Sequence, residues 1–170
     1  MKLSKRKSKN ITTIIIISLL AIYAIYNSFS GESNDTTGRV VKVSDGDTFT
    51  LLTKDLKQIK VRMYGIDAPE SKQAFGEKSR LFLAGMIAGK EVVLEIKDTD
   101  KYGRKVAKVK TDNVEDVGLE MLKAGMAWHY SYYDKTKAYI QAEKEAKEKK
   151  VGLWIDKNPI NPYDFRKRNS

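Results

Sequence analysis

Cysteine is absent from this chain of 170 residues, and histidine occurs only once, as His129. The lack of cysteine excludes disulfide bonds, thiol nucleophiles, iron–sulfur clusters and zinc–thiolate sites. A single histidine cannot form a His-rich metal site. Any metal in this protein must therefore be held by oxygen ligands, which are the ligands that calcium, magnesium and manganese prefer.

Acidic residues are fewer than basic ones, 22 against 32, so the formal net charge is +10 and the pI is about 9.6. Five of the positive charges lie in the first ten residues, which contain no acid, and this leaves +5 for the rest of the chain. That balance is compatible with nucleic acid or another anionic surface and is specific for neither. The length suits one domain with a terminal extension.

No apolar run in the sequence is long enough to be a typical membrane span. Basic residues 2–9 precede an apolar run over about 11–26, which is long for a signal peptide and short of the roughly 20 residues that a spanning helix needs. The sequence predicts that residues 1–30 are a signal peptide or membrane anchor, and that the protein is secreted or anchored with its domain outside. Cleavage before Gly31 is one possibility, and a buried core helix is the alternative interpretation. Residues 31–37 are predicted to be a flexible spacer.

Alternating apolar residues and turn residues organise the next part of the chain, predicted as one domain over 38–155. The pattern indicates a three-stranded meander, a helix, two further strands, a short helix and a long charged helix. This is the element order of a five-stranded OB-fold barrel with three helices, a mainly β member of the α+β class, although other α+β arrangements fit the pattern too. In the first strand Val41 and Val43 are expected on the face opposite Lys42. Two prolines predict an extended tail over 156–170.

Candidate catalytic residues lie around the stretch 61–70, where a strand pattern is broken by glycine and proline. Arg62 is on that strand, and Asp67 and Glu70 are on the turn after it. Asp47, in the turn Asp45-Gly46-Asp47-Thr48, could meet Asp67 in space, and two buried carboxylates need a cation between them. Calcium fits such a site, but Asp-Gly is also simply a hairpin turn.

Two arginines and a cluster of aromatic residues are the other candidates. Arg62 and Arg104, with Lys101 and Tyr102, could clamp a phosphate, or each arginine could pair with a surface acid such as Asp98 or Asp100. Aromatic faces let single-stranded bases stack, although they pack equally often in a core. His129 is expected to be a surface or packing residue. The aromatic cluster consists of Trp128, Tyr130, Tyr132 and Tyr133.

Taken together and in this order, the motifs resemble the staphylococcal nuclease (thermonuclease) family. The resemblance covers about residues 38–155, and the tail 158–166 is similar to an extension of some bacterial members. The motifs are Ser44-Asp45-Gly46-Asp47-Thr48, Arg62 with Gly65-Ile66-Asp67-Ala68-Pro69-Glu70, Asp100-Lys101-Tyr102-Gly103-Arg104, Gly125-Met126-Ala127-Trp128 and Gly152-Leu153-Trp154.

The resemblance implies a five-stranded OB barrel and calcium-dependent cleavage of DNA and RNA. By position, Asp47 and Asp67 match the carboxylate ligands of calcium, and Ala68 matches the residue that lends a backbone carbonyl. Glu70 matches the proposed general base. Arg62 and Arg104 match the arginines that hold the scissile phosphate.

The nucleic-acid-binding residues are less sharply defined by the resemblance. Lys101 and Tyr102 are the firmer candidates, with Tyr130 and Tyr133 as further ones. The expected partners are DNA and RNA, single-stranded or frayed, and the membrane if residues 1–30 are retained; the protein is expected to be a monomer. A non-catalytic OB-fold nucleic-acid binder and a surface-anchored module for a protein or an anionic polymer are the competing interpretations.

Overall fold

A computed structural model describes residues 15–23 and 35–168 of the chain. The chain divides into two compact units, Met1–Ser33 and Asn34–Ser170. In the first unit, residues 15–23 form helix α1, and within the described residues no helix is both long and apolar enough to cross a membrane. Most of the predicted signal or anchor segment, and the cleavage position before Gly31, lie outside the described residues.

The second unit is built on a closed barrel of five strands, in the order β1-β2-β3-β6-β5. Strands β1, β2 and β3 form the predicted antiparallel meander, β6 runs parallel to β3, and β5 pairs antiparallel with β6 and β1 to close the barrel. The five-stranded OB-fold prediction is thus confirmed. The strands are β1 (Asp35–Val43), β2 (Thr48–Thr53), β3 (Gln58–Met63), β5 (Glu91–Thr99) and β6 (Lys105–Lys110).

Three helices pack around the barrel, as predicted, and a two-stranded sheet joins two of the loops. That small sheet pairs β4 (Ile66–Asp67) with β7 (Trp128–His129), so it joins the middle of the 61–70 stretch to the aromatic stretch. The helices are α2 (Gly76–Ile87), α3 (Val117–Lys123) and α4 (Lys137–Glu148), followed by a 3-10 turn (Gly152–Ile155) and a fourth helix of this unit, α5 (Pro162–Arg168).

The core lies inside the barrel and under α2 and α3. Alternating residues of β2 and β3 point inward because successive side chains of a strand face opposite sides, and fully buried examples are Phe49, Leu51 and Val61. Each such side chain stabilises the fold by about 1.5–3 kcal/mol through burial. A second cluster forms where Trp154 of the 3-10 turn packs edge-on against Trp128, with ring centroids 4.4 Å apart.

The first strand differs from the prediction for Val41. Val40 pairs with Leu51 and Lys42 with Thr50, so the register shifts at Val41 in a β-bulge. As a result Val40 is buried and Val41 is 49% exposed. Strand β1 also begins at Asp35, three residues before the predicted start of the domain.

The predicted extended tail is wrong over residues 162–168, which form helix α5. Pro162 occupies the first helical position, where its fixed φ suits the helix and its missing N–H is not needed. The side chain of Asn161 caps the helix, its Oδ1 accepting a hydrogen bond from the Tyr163 amide at 2.9 Å. Proline therefore starts a helix here instead of preventing one.

Candidate active site

The turn between β1 and β2 carries Asp47 into the site, and it can do so because residue 46 is glycine. The Asp47 amide donates to Asp45 Oδ1 at 3.0 Å, which fixes the turn. A Cβ atom on Gly46 would lie 1.8 Å from Ser79 Oγ of α2 and 2.7 Å from the Ala68 Cβ. Only glycine allows the turn to come this close to the residues that follow Asp67.

Asp47 and Asp67, which the sequence analysis proposed as metal ligands, lie side by side on one guanidinium. Arg62 Nη1 donates to Asp47 Oδ1 at 3.0 Å and Nη2 donates to Asp67 Oδ1 at 2.7 Å. The Ala68 amide donates to Asp47 Oδ2 at 3.0 Å, so the main chain of Ala68 also belongs to the site. The β2–β3 pairing of Thr48 with Arg62 explains why residues 15 positions apart meet.

This part of the site is largely withdrawn from water. The side chains of Asp47 and Asp67 are 4% and 3% exposed, and that of Arg62 is 17% exposed. Burial lowers the pKa of Arg62, but the charges of Asp47 and Asp67 raise it by more. Burial, and then the charge of Asp47, raise the pKa of the neighbouring Asp45 to about 7. The local environment is therefore rich in negative charge and favours a cation.

Glu70 lies on the loop between β4 and α2, at the more exposed side of the same cluster. The Gln73 side chain accepts a hydrogen bond from the Glu70 amide at 3.1 Å, and the Gln73 amide donates to the Glu70 carbonyl at 2.8 Å. A Cβ atom on Gly76 would lie 2.0 Å from that carbonyl oxygen. The loop is thus pressed against the start of α2, and Phe75, with φ of 66°, makes the tight entry to the helix.

Arg166, which the sequence analysis did not select, reaches this cluster from helix α5. Its Nη1 donates to Asp67 Oδ1 at 3.1 Å and to Glu70 Oε1 at 2.7 Å, and its Nη2 donates to Asp67 Oδ2 at 2.9 Å. Burial lowers the pKa of Arg166, but the hydrogen bonds from Arg166 to Asp67 and Glu70 outweigh this and raise it. No local sequence pattern marks a single arginine in a charged tail as a site residue. Its one distinguishing feature is that it ends the 158–166 segment, which resembles the extension of some bacterial members.

The structure does not bring Arg104 into contact with Arg62. Arg104 Nε donates to Asp100 Oδ2 at 2.7 Å. This is one of the ion pairs that the sequence analysis gave as the alternative to phosphate binding. However, Arg104 immediately precedes β6, and β6 pairs parallel to β3 with Val106 opposite Arg62. Because residues two apart share a face of a strand, Arg104 is on the same face of the sheet as Arg62, one diagonal step away.

The proposed nucleic-acid-binding residues form two exposed aromatic areas. Tyr102 is 72% exposed, and Lys101 Nζ lies 5.1 Å from its ring centroid. Tyr133 is 63% exposed and stacks edge-on against Tyr130, with centroids 5.1 Å apart. The Tyr130 amide donates to the carbonyl of Gly65 at 2.9 Å, which places this pair beside the Asp67 strand.

Other members of the aromatic stretch have structural roles. Trp128 packs in the second cluster, and His129 is a packing residue whose side chain is only 3% exposed. Its Nε2 lies 2.9 Å from Asp134 Oδ2, and the Thr136 hydroxyl donates to Asp134 Oδ1 at 2.6 Å. Burial raises the pKa of Asp134, but the hydrogen bonds from Thr136 and then His129 lower it by more, so that the net shift is downward.

The site offers a metal ion two carboxylates, those of Asp47 and Asp67. Among residues 15–23 and 35–168, no group of three or more histidine, cysteine or carboxylate side chains is arranged to hold a metal. The donor set of Asp47 and Asp67 fits calcium, because calcium also accepts main-chain carbonyls and water as ligands. It does not fit zinc, which prefers nitrogen and sulfur ligands.

Comparison with known proteins relates this chain to a family of nucleases. The model of the family described as staphylococcal nuclease homologue matches residues 60–156. The chain is 46% identical over 155 residues to a protein of Haemophilus influenzae named uncharacterized endonuclease, covering 91% of this chain and 85% of that one.

More distant relatives extend the same pattern. A micrococcal nuclease of Shigella flexneri is 38% identical over 143 residues, covering 78% of this chain and 82% of the relative. A staphylococcal-like nuclease of Arabidopsis thaliana is 40% identical over 111 residues, covering 65% of this chain and 34% of the relative. The chain therefore belongs to the staphylococcal nuclease family.

Proposed function

We propose that this nuclease depends on calcium and cleaves the phosphodiester bonds of DNA and RNA by attack of a water molecule on a bound phosphate. The observation that carries the proposal is the buried pair of carboxylates, Asp47 and Asp67, held on the single guanidinium of Arg62 beside Glu70. A protein that only binds nucleic acid needs positive charges on the surface that meets the phosphates. Carboxylates buried next to that surface would not contribute to such binding.

The residues that would hold calcium are Asp47 and Asp67, together with the backbone carbonyl of Ala68 and water molecules. When bound, calcium would supply Lewis-acid activation of the phosphate and a template for its orientation. The 3.0 Å hydrogen bond from the Ala68 amide to Asp47 supports this assignment, since it keeps the main chain of residue 68 next to the first carboxylate.

Glu70 is the proposed group that accepts a proton from, or orients, the attacking water. Its side chain is 36% exposed, in contrast to the buried aspartates, so a water molecule can reach it. A positioned general base typically contributes a factor of about 10²–10⁴ to the rate. Because water is the nucleophile, the reaction requires no covalent intermediate with the protein.

Arg62 and Arg104 are proposed to bind the phosphate and to offset the charge that develops on its oxygens during attack. Arg62 is charged and already held in the site by its two carboxylates. Arg104 shares its sheet face but is paired with Asp100, so it must exchange that partner for the phosphate. An arginine fork matches two phosphate oxygens at once, which is the geometry that such a clamp needs.

The bases are proposed to stack on Tyr102, Tyr130 and Tyr133, of which Tyr102 and Tyr133 are exposed. Tyr102, with Lys101 over its ring, provides one platform, and the Tyr130–Tyr133 pair provides another. Stacking requires bases that are not paired, so single-stranded or frayed substrates are favoured.

The test is cleavage of fluorescently labelled single-stranded DNA and RNA in calcium and in chelator. Asp47→Asn and Asp67→Asn should abolish cleavage, whereas Asp112→Asn, which removes a carboxylate from an exposed turn, should leave it unchanged. Binding without cleavage at every calcium concentration would instead favour the non-catalytic binder. Cleavage that persists in chelator would overturn the calcium dependence.

Export and a monomeric state are parts of the same proposal that rest on the sequence alone. The basic stretch at 2–9, followed by the apolar run, supports export as a secreted or membrane-anchored protein. Mass measurement of the exported protein, taken from both the medium and the membrane fraction, decides between these: a start near Gly31 means release, and an intact Met1 means anchorage. Light scattering of the purified protein tests whether it is a monomer.

A further inference from the structure

Helix α5 places a second guanidinium on the carboxylates of the site. Arg166 binds both oxygens of Asp67, at 3.1 and 2.9 Å, and one oxygen of Glu70 at 2.7 Å. The side chain of Asp67 is only 3% exposed while that of Arg166 is 39% exposed. The arginine thus enters from the surface and covers the outer side of a buried carboxylate.

The tail that carries Arg166 is seated on the loop that carries Glu70. The Gln73 side-chain amide donates to the Ile160 carbonyl at 2.5 Å, and Pro162 is buried. A cavity of about 130 Å³ between the tail and this loop is lined by, among others, Pro69 and Phe165. These contacts hold α5 where its arginine can reach the acids, so the position of Arg166 is supported by more than its own ion pairs.

Occupation of Asp67 by two guanidinium groups conflicts with binding of a cation. Arg62 and Arg166 both donate to Oδ1 of Asp67, and Arg166 also donates to Oδ2. Calcium binds carboxylate oxygens at 2.3–2.6 Å, so a calcium ion on Oδ2 would compete with Arg166 for the same lone pairs. The two positive groups would also repel each other in a site that is largely buried.

We propose that Arg166 is a residue of the active site that sets its calcium affinity: it binds Asp67 and Glu70 when calcium is absent, and calcium must displace it. This inference rests on the proposed function, because it assumes calcium at Asp67. Arg166 is not a catalytic residue in this scheme. It acts through Asp67 and Glu70, and release of Glu70 accompanies metal binding, so the acid becomes available for water only when the metal is present.

Calcium titration by calorimetry, without substrate, tests the proposal on the full chain. Arg166→Gln removes the competing charge, and Arg168→Gln is the matched control, since Arg168 is an exposed arginine in the last turn of the same helix. Arg166→Gln should bind calcium at least about tenfold more tightly, the equivalent of about 1.4 kcal/mol. Arg168→Gln should bind with the wild-type affinity.

A second measurement follows the tail itself. Hydrogen exchange of the amides in α5 should accelerate when calcium is added to the wild-type protein. The same amides should show no calcium response in Asp67→Asn, because the proposed ligand is lost. Unchanged exchange in the wild-type protein at saturating calcium would overturn the displacement step.

The outcomes separate this inference from the proposed function. If the wild-type protein binds no calcium, or if Asp67→Asn binds it normally, the calcium site itself is wrong. If Asp67→Asn abolishes binding but Arg166→Gln binds calcium as the wild type does, or more weakly, the site stands and the competition is wrong. Weaker binding in Arg166→Gln would mean that the arginine supports the carboxylates for the metal.

Discussion

Replacing Arg62 by methionine separates the structural from the catalytic contribution of the arginine. Methionine keeps most of the side-chain length but leaves Asp47 and Asp67, both nearly buried, without the guanidinium they share. Removing one partner of a buried ion pair typically costs about 3–5 kcal/mol. Asp47 keeps its bond from the Ala68 amide and Asp67 keeps Arg166, so we expect a loss of about 2–4 kcal/mol in the free energy of unfolding in chelator.

Calcium should restore much of this loss, because it offers the two carboxylates a new cation. At a calcium concentration 100 times the dissociation constant the stabilisation is about 2.7 kcal/mol. Cleavage should still fall at least about a hundredfold at saturating calcium, since the phosphate loses its fork of donors. Stability is followed by urea unfolding with tryptophan fluorescence, for which Trp128 and Trp154 in their shared cluster are suitable probes.

Two results would refute this reasoning. If Arg62→Met is as stable as the wild type in chelator, the carboxylates do not depend on the arginine for charge. If calcium stabilises neither the wild type nor Arg62→Met, then Asp47 and Asp67 do not bind calcium. Arg62→Lys is the matched variant: it keeps the charge and loses the fork, so it should recover stability more than activity.

Three further predictions follow from the site and its supports. Glu70→Gln and Arg104→Ala should each lower the cleavage rate at least about a hundredfold, and near-normal turnover in either variant would remove that residue from the mechanism. Gly46→Ala should destabilise the protein by about 1–3 kcal/mol, because its Cβ would overlap α2. The control Gly85→Ala, whose Cβ meets nothing within 4 Å, should be neutral or stabilising. Equal effects of the two substitutions would contradict the steric argument. Asp134 has a lowered pKa in the folded protein, so its stabilisation is complete above the unfolded pKa of about 3.9 and is lost as the pH falls through the folded value; Asp134→Asn should therefore be less stable than the wild type at pH 7 by about 1–3 kcal/mol, with the difference shrinking below about pH 4 in urea titrations.

The barrel and the centre of the site were predictable because their contacts are local or follow from strand pairing. Arg62 and Asp67 are five residues apart with a glycine turn between them, so their approach needs only the turn. Asp47 meets Arg62 because antiparallel pairing in the meander brings the start of β2 next to the end of β3. Each of these steps follows from alternation and turn chemistry, which sequence patterns report.

The bulge and the tail helix were not predictable in the same way. Val41, Lys42 and Val43 alternate in the sequence, but the pairing of β1 with β2 slips by one residue at Val41, and a slip depends on the partner strand. In the tail, two prolines pointed to an extended chain, yet Pro162 with its Asn161 cap begins α5. Propensity rules gave the wrong result because the same residue breaks a helix in its interior and starts one at its first position.

Arg166 shows most clearly where local patterns stop being informative. It is 99 residues from Asp67 in sequence, and its placement depends on contacts of residues 160–165 with the loop after β4. Nothing in its immediate neighbours distinguishes it from Lys167 or Arg168, which are exposed. The charge balance of the site does distinguish it: Asp47, Asp67 and Glu70 outnumber Arg62, so without a metal ion the site needs one more cation. An excess of acidic residues at a site predicted from sequence therefore also predicts that a basic side chain of the same protein binds there when no metal is present. Here that side chain is Arg166 of helix α5.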